Sequence, residues 1–192
     1  MKVQTKEIQG VLVLEPTRHE DDRGFFVETW NAGAFADAGI ETAFVQDNQS
    51  FSRQAGTVRG LHCQAPPHAQ AKLLRVGCGR IYDVAVDIRQ GSPTYGQWVG
   101  EELSADNGRQ LYIAEGFLHG FMTLDANTEV LYKCSAPYAP ECEFAVKYDD
   151  EQLAIAWPEV DGVSNLSDKD SVAPSFEDLV SPFVFEAAGA GS

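Results

Sequence analysis

The sequence predicts an all-β fold, a jelly-roll sandwich or barrel, formed by one domain over residues 1–186 with a flexible small-residue tail at 187–192. Three observations predict it. Short strand-like runs recur at regular spacing, helical stretches are few and short, and glycine or proline punctuates most junctions. The 192 residues suffice for one substantial core and are short for two ordinary domains. With 44% hydrophobic and 22% charged residues the composition is that of a globular, soluble chain, which excludes wholesale disorder.

In chain order, residues 10–16 form an apolar strand ended by Pro16, and 18–23 a charged loop. Residues 24–30 form a strand that places Phe26, Glu28 and Trp30 on one face, where Glu28 is either a solvated edge residue or a ligand contact. Residues 31–39 read as a short helix with Asn31 as N-cap and Gly39 as stop. A strand over 44–50 runs into Gln46, Asp47 and Asn48, which are turn formers or hydrogen-bonding groups for a polyhydroxylated ligand. Residues 57–64 form a strand with His62 and Gln64 on one face, and the Pro66-Pro67 turn separates it from Lys72. Strands follow at 73–78, 81–88, 97–103 and 110–114. The strand at 81–88 sets Tyr82, Val84, Val86 and Ile88 against Asp83, Ala85 and Asp87, one core face and one wet or functional face. A sharp turn at 115–120 carries His119, read as a satisfied structural histidine, and strands at 121–124, 130–134, 144–148 and 153–157 complete the series. A polar loop spans 165–170, and 174–180 forms one or two helical turns.

The formal net charge of -15 disfavours nucleic acid or an anionic membrane as partner, so an anionic ligand must meet a local cluster of cations. Arg23, Arg59, Lys72 and Lys169 fall inside motif-like stretches and are the candidates. No run of 18 apolar residues and no signal peptide occurs, and Cys63, Cys78, Cys134 and Cys142 show neither a CxxC pair nor zinc-type spacing. A cytoplasmic protein with free buried thiols is expected.

His62, His68 and His119 invite a metal, with Glu115 and Glu143 in reach by sequence, but position 64 is glutamine and the His-x-His pair is absent. Acid-base chemistry without metal is the stronger expectation. Histidine, with a reference pKa of ~6.5, is a suitable base near neutrality. A general base supplies only ~10²–10⁴-fold, whereas enzymes reach ~10⁶-fold or more. A cation at a developing enolate oxygen adds about 3 kcal/mol, and Lys72 is the candidate. Tyr132, from another strand, is core with a capped hydroxyl or an acid on the opposite face.

The stretches Arg23-Gly-Phe-Phe26 with Glu28, Phe44-Val-Gln-Asp-Asn48, Arg59-Gly-Leu-His62 with Gln64, Lys72, Gly91-Ser-Pro93, Gly116-Phe-Leu-His-Gly-Phe121, Tyr132 before Ala136-Pro137, and Leu166-Ser-Asp-Lys-Asp170 together resemble the dTDP-4-dehydrorhamnose 3,5-epimerases. The resemblance spans roughly residues 10–180 in the same order. It implies a cupin-type jelly roll and a homodimer acting without metal or cofactor on a dTDP-4-keto-6-deoxyhexose in dTDP-L-rhamnose synthesis. By the same resemblance His62 removes protons at C3 and C5, Asp170 is its dyad partner, Lys72 holds the enolate at O4, and Tyr132 returns the proton. Arg23, Glu28, Gln46, Asp47, Asn48, Arg59, His119, Glu143 and Lys169 carry over as nucleotide, diphosphate or sugar contacts. A 5-epimerase or ketoisomerase of another dTDP-deoxysugar pathway, a nucleotide-sugar-binding module and a metal-dependent cupin are the alternatives. Many relatives have an aromatic where this chain has Cys63, which the strand pattern turns away from His62. A regular strand also puts Arg59 and His62 on opposite faces, so either Gly60 marks a bulge or Arg59 reaches another part of the ligand or a neighbouring subunit.

Overall fold

The structure, a computed structural model, describes residues 1–160 and 165–186; the expected tail at 187–192 lies outside the described residues. Its strands are β1 (Lys2–Thr5), β2 (Val11–Glu15), β3 (Arg18–Asp21), β4 (Gly24–Val27), β5 (Gln46–Ser52), β6 (Val58–Gln64) and β7 (Lys72–Cys78). Then come β8 (Arg80–Asp87), β9 (Trp98–Ser104), β10 (Gln110–Ile113), β11 (Phe117–Thr123), β12 (Thr128–Cys134) and β13 (Glu143–Ala145). Two short helices, α1 (Ala32–Asp37) and α2 (Asp168–Ser171), accompany them. A six-stranded sheet in the order β1-β2-β10-β7-β12-β5 faces a five-stranded sheet β13-β6-β11-β8-β9, and β3 pairs with β4 as a separate hairpin.

The two-residue period of each strand explains where the core ends and a cavity begins. Between the sheets, Val11, Val13, Leu74, Val76, Leu111, Ile113 and Val130 of the first meet Ile81, Ala85, Val99, Leu103, Phe117 and Phe121 of the second. The same inward faces carry Lys72 two residues before Leu74, Tyr132 two after Val130, and His119 midway between Phe117 and Phe121. Toward one end of the sandwich, therefore, the apolar filling gives way to polar side chains on both walls.

The outer faces are also covered. Leu61, Cys63, Val84, Val86, Ile88 and Leu118 lie beneath Val146, Leu153, Phe176 and Phe183. Leu14 and Leu73 lie beneath Phe35 of α1 and Ile40. Helix α1 begins where expected: the Asn31 side chain accepts from the Ala34 N–H at 3.1 Å, and Gly39 follows its end with φ +82°.

Several elements differ from the sequence reading. Residues 18–21 pair with 24–27 in the hairpin rather than forming a loop; their alternation is too polar to mark them as a strand in the sequence. The N-terminal β1, exposed throughout, was hidden for the same reason. Residues 153–157 form no strand; Leu153, Ile155 and Trp157 instead pack as a strap on the second sheet. His119 lies in the middle of β11, not at a turn, because buried glycine and phenylalanine neighbours continue the ladder. Asp83 and Asp87 are fully buried, so neither face of β8 is wet.

Candidate functional site

The register between β6 and β11 fixes where the chemistry-bearing side chains point. His119 pairs with His62 and Phe121 with Arg59, so three steps on β6 match two on β11. This is the signature of a bulge, and it brings Arg59 and His62 to the same cavity while Leu61 stays in the outer cluster. Gly60 makes it possible. Its φ is +122°, and a Cβ there would stand 2.5 Å from Gly120 Cα and 2.7 Å from the His119 carbonyl oxygen.

His62 Nε2 lies 2.5 Å from Asp170 Oδ1. Asp170 arrives there because Asn165 bridges to Thr57: the Val58 N–H donates to Asn165 O at 3.0 Å and the Asn165 N–H to Gly56 O at 2.9 Å. Ser167 then caps α2, its hydroxyl oxygen accepting from the Asp170 N–H at 3.1 Å, which aims the buried carboxylate at the imidazole. The stretch read as a polar loop is thus partly helical.

Across the sandwich stand Lys72 on β7 and Tyr132 on β12, lining the same cavity of about 450 Å³ with His62, Arg59, His119 and Lys169. Neither Lys72 nor Arg59 pairs with a carboxylate among the described residues; Arg59 donates only to Phe51 O at 3.3 Å and Ser52 Oγ at 3.4 Å. Burial pushes the Tyr132 phenol above its ordinary value, keeping it protonated near neutrality. His119 Nε2 lies 2.9 Å from Asp83 Oδ1, and burial holds this imidazole below its ordinary value despite the carboxylate.

A smaller lobe of about 260 Å³ opens from the same three residues, His62, Lys72 and Tyr132, and is bordered by Gln46, Asn48, Tyr138 and Glu143. Gln46 Nε2 donates to Asn48 Oδ1 at 3.0 Å. Burial alone would raise the Glu143 carboxyl, but hydrogen bonds from Lys169 and Tyr138 outweigh it and hold the group below the usual range. Gln64 shares the His62 face, as its spacing predicts, and both ends of its amide are engaged by backbone. Cys63 lies in the outer cluster, where burial pushes its thiol up to about 12.

Three expected contacts are not brought together with the rest. Asp47 projects from the outer face of β5, 71% exposed, and pairs with Lys133 at 2.8 Å, because its neighbours Gln46 and Asn48 take the inward positions. Arg23 lies on the β3–β4 hairpin, 89% exposed and paired with Asp21 at 2.5 Å, and Glu28 is exposed just beyond it. Neither lines the cavity. Conversely, the sequence reading missed Tyr138 and Asp83. An aromatic in the loop after Ala136-Pro137 was the available signal for Tyr138; nothing in the alternation of β8 separates Asp83 from a solvated aspartate.

A two-sheet jelly roll whose inner cavity joins a histidine–aspartate pair, a lysine and a protonated tyrosine defines a cupin-like enzyme class suited to acid-base chemistry on an anionic ligand. The family model described as dTDP-4-dehydrorhamnose 3,5-epimerase matches residues 5–178. The chain belongs to this family. It is 46% identical over 185 residues to the dTDP-4-dehydrorhamnose 3,5-epimerase of Sinorhizobium fredii, covering 96% of this chain and 94% of the relative. The enzyme of the same name from Salmonella typhimurium is 49% identical over 168 residues, covering 87% and 91%. Among solved structures, the Legionella pneumophila dTDP-6-deoxy-D-glucose-3,5-epimerase in complex with dTDP-4-keto-L-rhamnose superposes with a TM-score of 0.91 at 44% identity, covering 97% of this chain and 99% of that one.

Proposed function

We infer that the protein epimerises C3 and C5 of dTDP-4-dehydro-6-deoxy-D-glucose, giving dTDP-4-dehydro-L-rhamnose in dTDP-L-rhamnose synthesis. The observation that carries this reading is the placement of His62 with Asp170 on one wall of the cavity and of Tyr132 and Lys72 on the other. Inverting a carbon requires a base on one face and a proton donor on the opposite one. A sugar ring held between the two sheets meets both.

In this reading His62 takes the proton from the carbon beside the 4-keto group, and the C–H electron pair moves into the carbonyl to form an enolate. Asp170 orients the imidazole and faces the charge it gains. The Lys72 ammonium stabilises the enolate oxygen. The Tyr132 hydroxyl gives its proton to the carbon from the other side, and both groups then re-equilibrate with water. The same cycle at the second carbon completes the reaction.

Arg59, Lys169 and His119 make the larger lobe suited to the diphosphate and sugar, arginine's fork matching phosphate oxygens. The smaller lobe, with the amides of Gln46 and Asn48, Glu143 and the half-exposed Tyr138, suits a nucleobase. Arg23 and Glu28 stand outside the cavity of their own chain, so as ligand contacts they act from a second copy. The exposed Phe25 and Phe26 beside them, 57% and 70% accessible, support a homodimer, which light scattering tests at twice the chain mass.

Residues 1–186 act as one jelly-roll domain, with its clusters drawing on segments from both ends of the chain. Four free cysteines support a reducing, cytoplasmic setting, and no helix among the described residues is long and apolar enough to cross a membrane. The reading is tested by incubation with dTDP-4-dehydro-6-deoxy-D-glucose and NMR of the product: inversion at both C3 and C5 supports it, and recovery of unchanged sugar contradicts it.

A further inference from the structure

Gln64 sits two residues from His62 and is only 3% exposed, yet its amide is spent on the backbone of two loops. Its nitrogen donates to the carbonyls of His68 at 2.7 Å and Pro137 at 3.2 Å, and its oxygen accepts from the Ala139 N–H at 2.9 Å. Two more glutamines hold the same loop. Gln70 Nε2 donates to Ala136 O at 2.8 Å, and Gln46 Oε1 accepts from the Tyr138 N–H at 2.9 Å. No strand runs through residues 136–139, so these amides provide the hydrogen bonds that a ladder provides elsewhere.

The loop carries Tyr138. Its ring is 56% exposed beside the smaller lobe, and its hydroxyl donates to Glu143 Oε2 at 2.7 Å. Glu143 is itself the register partner of Gln64 across β13 and β6. Tyr138 is thus anchored at its own N–H by Gln46, through its neighbours Pro137 and Ala139 by Gln64, and at its hydroxyl by Glu143. The planar amide suits the position because it offers two donors and an acceptor; leucine, of similar size, leaves the Ala139 N–H and two carbonyls unpaired.

We propose that Gln64 is a positioning residue for nucleotide binding: it clamps residues 136–139 so that Tyr138 and Glu143 present a preformed platform before the ligand arrives. The proposal rests on the reading of the smaller lobe as the nucleotide subsite. Preorganisation of a remote platform changes affinity rather than the chemical step.

Gln64→Leu and Gln64→Glu are compared with the unmodified protein by dTDP titration calorimetry, steady-state kinetics and amide hydrogen exchange of the ligand-free protein. Losing the clamp weakens dTDP binding and raises KM about tenfold, with kcat within about threefold, and speeds exchange at the Tyr138 and Ala139 amides. In Gln64→Glu a protonated carboxyl restores one donor, so its dTDP affinity recovers relative to the unmodified protein as pH falls from 8 to 5.5, whereas that of Gln64→Leu does not. Should Gln64→Leu fail to fold, Gln70→Leu, which frees only the Ala136 carbonyl, shows a smaller shift of about threefold in the same direction. Unchanged dTDP affinity with a fall confined to kcat overturns the proposal, as do unchanged exchange rates at Tyr138 and Ala139. The exchange rates are read without ligand and so decide the clamp separately from the nucleotide reading, which fails instead if the unmodified protein does not bind dTDP.

Discussion

His62 and Asp170 meet at 2.5 Å across 108 positions of sequence, the imidazole at a cavity wall and the carboxylate closed off behind it. In the proposed mechanism this contact keeps the ring oriented and offsets the charge it gains on taking a proton. Asp170→Asn keeps the shape but removes the negative charge. It is expected to lower kcat by roughly 10²–10⁴-fold, the range of a general base's contribution, with dTDP affinity within about threefold. A variant with normal kcat would remove Asp170 from the mechanism.

Tyr132 answers His62 from the facing sheet, and burial raises its phenol so that it holds its proton near neutrality. Tyr132→Phe removes the donor and leaves the base. The variant is expected to keep exchanging substrate protons with solvent while forming inverted product at least about tenfold more slowly, a step below the ~10²–10⁴-fold of full acid-base loss. NMR of the same samples reads both quantities. Normal product formation would assign the returned proton to another group.

The β6 bulge depends on Gly60, whose positive φ and contact with Gly120 leave no room for a side chain. Gly60→Ala is expected to destabilise the fold by roughly 2–5 kcal/mol, from backbone strain and overpacking together. Urea denaturation measures it. A loss below about 0.5 kcal/mol, the range of ordinary surface changes, would show that the close approach of β6 and β11 is not required.

Stability should fall on mild acidification because of His119. Its buried ring binds a proton less readily than the unfolded chain does, so below an unfolded pKa of about 6.5 the unfolded state holds more protons and gains relative to the native one. This contribution is therefore present above that value and lost as pH falls, by up to about 1.4 kcal/mol per pH unit. Glu143, held below the usual carboxylate range, acts later: its stabilisation is present above its unfolded value of about 4.3 and is lost as pH falls through its lower native value. Denaturation at pH 7.5 and 5.5 should show the decline in the unmodified protein and a shallower one in His119→Gln. Equal slopes would contradict it.

Much of this was legible in the sequence because period-two alternation is a strong signal wherever one face is apolar. Alternation alone set Tyr132 on the face of Val130 and Cys134 and His62 on the face of Gln64, and Asn31 announced its helix; Lys72, just ahead of the run 73–78, was given no face by its neighbours. The polar hairpin of β3 and β4 gave no such contrast. Nor did Asp47, whose outward position depends on which of two adjacent polar residues the β5 register turns inward. The conflict between Arg59 and His62 was visible as a failure of the simple pattern, and the register shift opposite Gly60 resolves it as a bulge. Asp170 lay beyond any local rule; its approach depends on the backbone bridge between Thr57 and Asn165.

In the proposed mechanism one cavity removes and returns protons at both carbons flanking the keto group. Incubating the protein with dTDP-4-dehydro-6-deoxy-D-glucose in deuterated water and locating the label by NMR tests it directly. Deuterium is expected at C3 and C5 with the unmodified protein and at neither carbon with His62→Asn. Label at C5 alone, or at both carbons in His62→Asn, would contradict it.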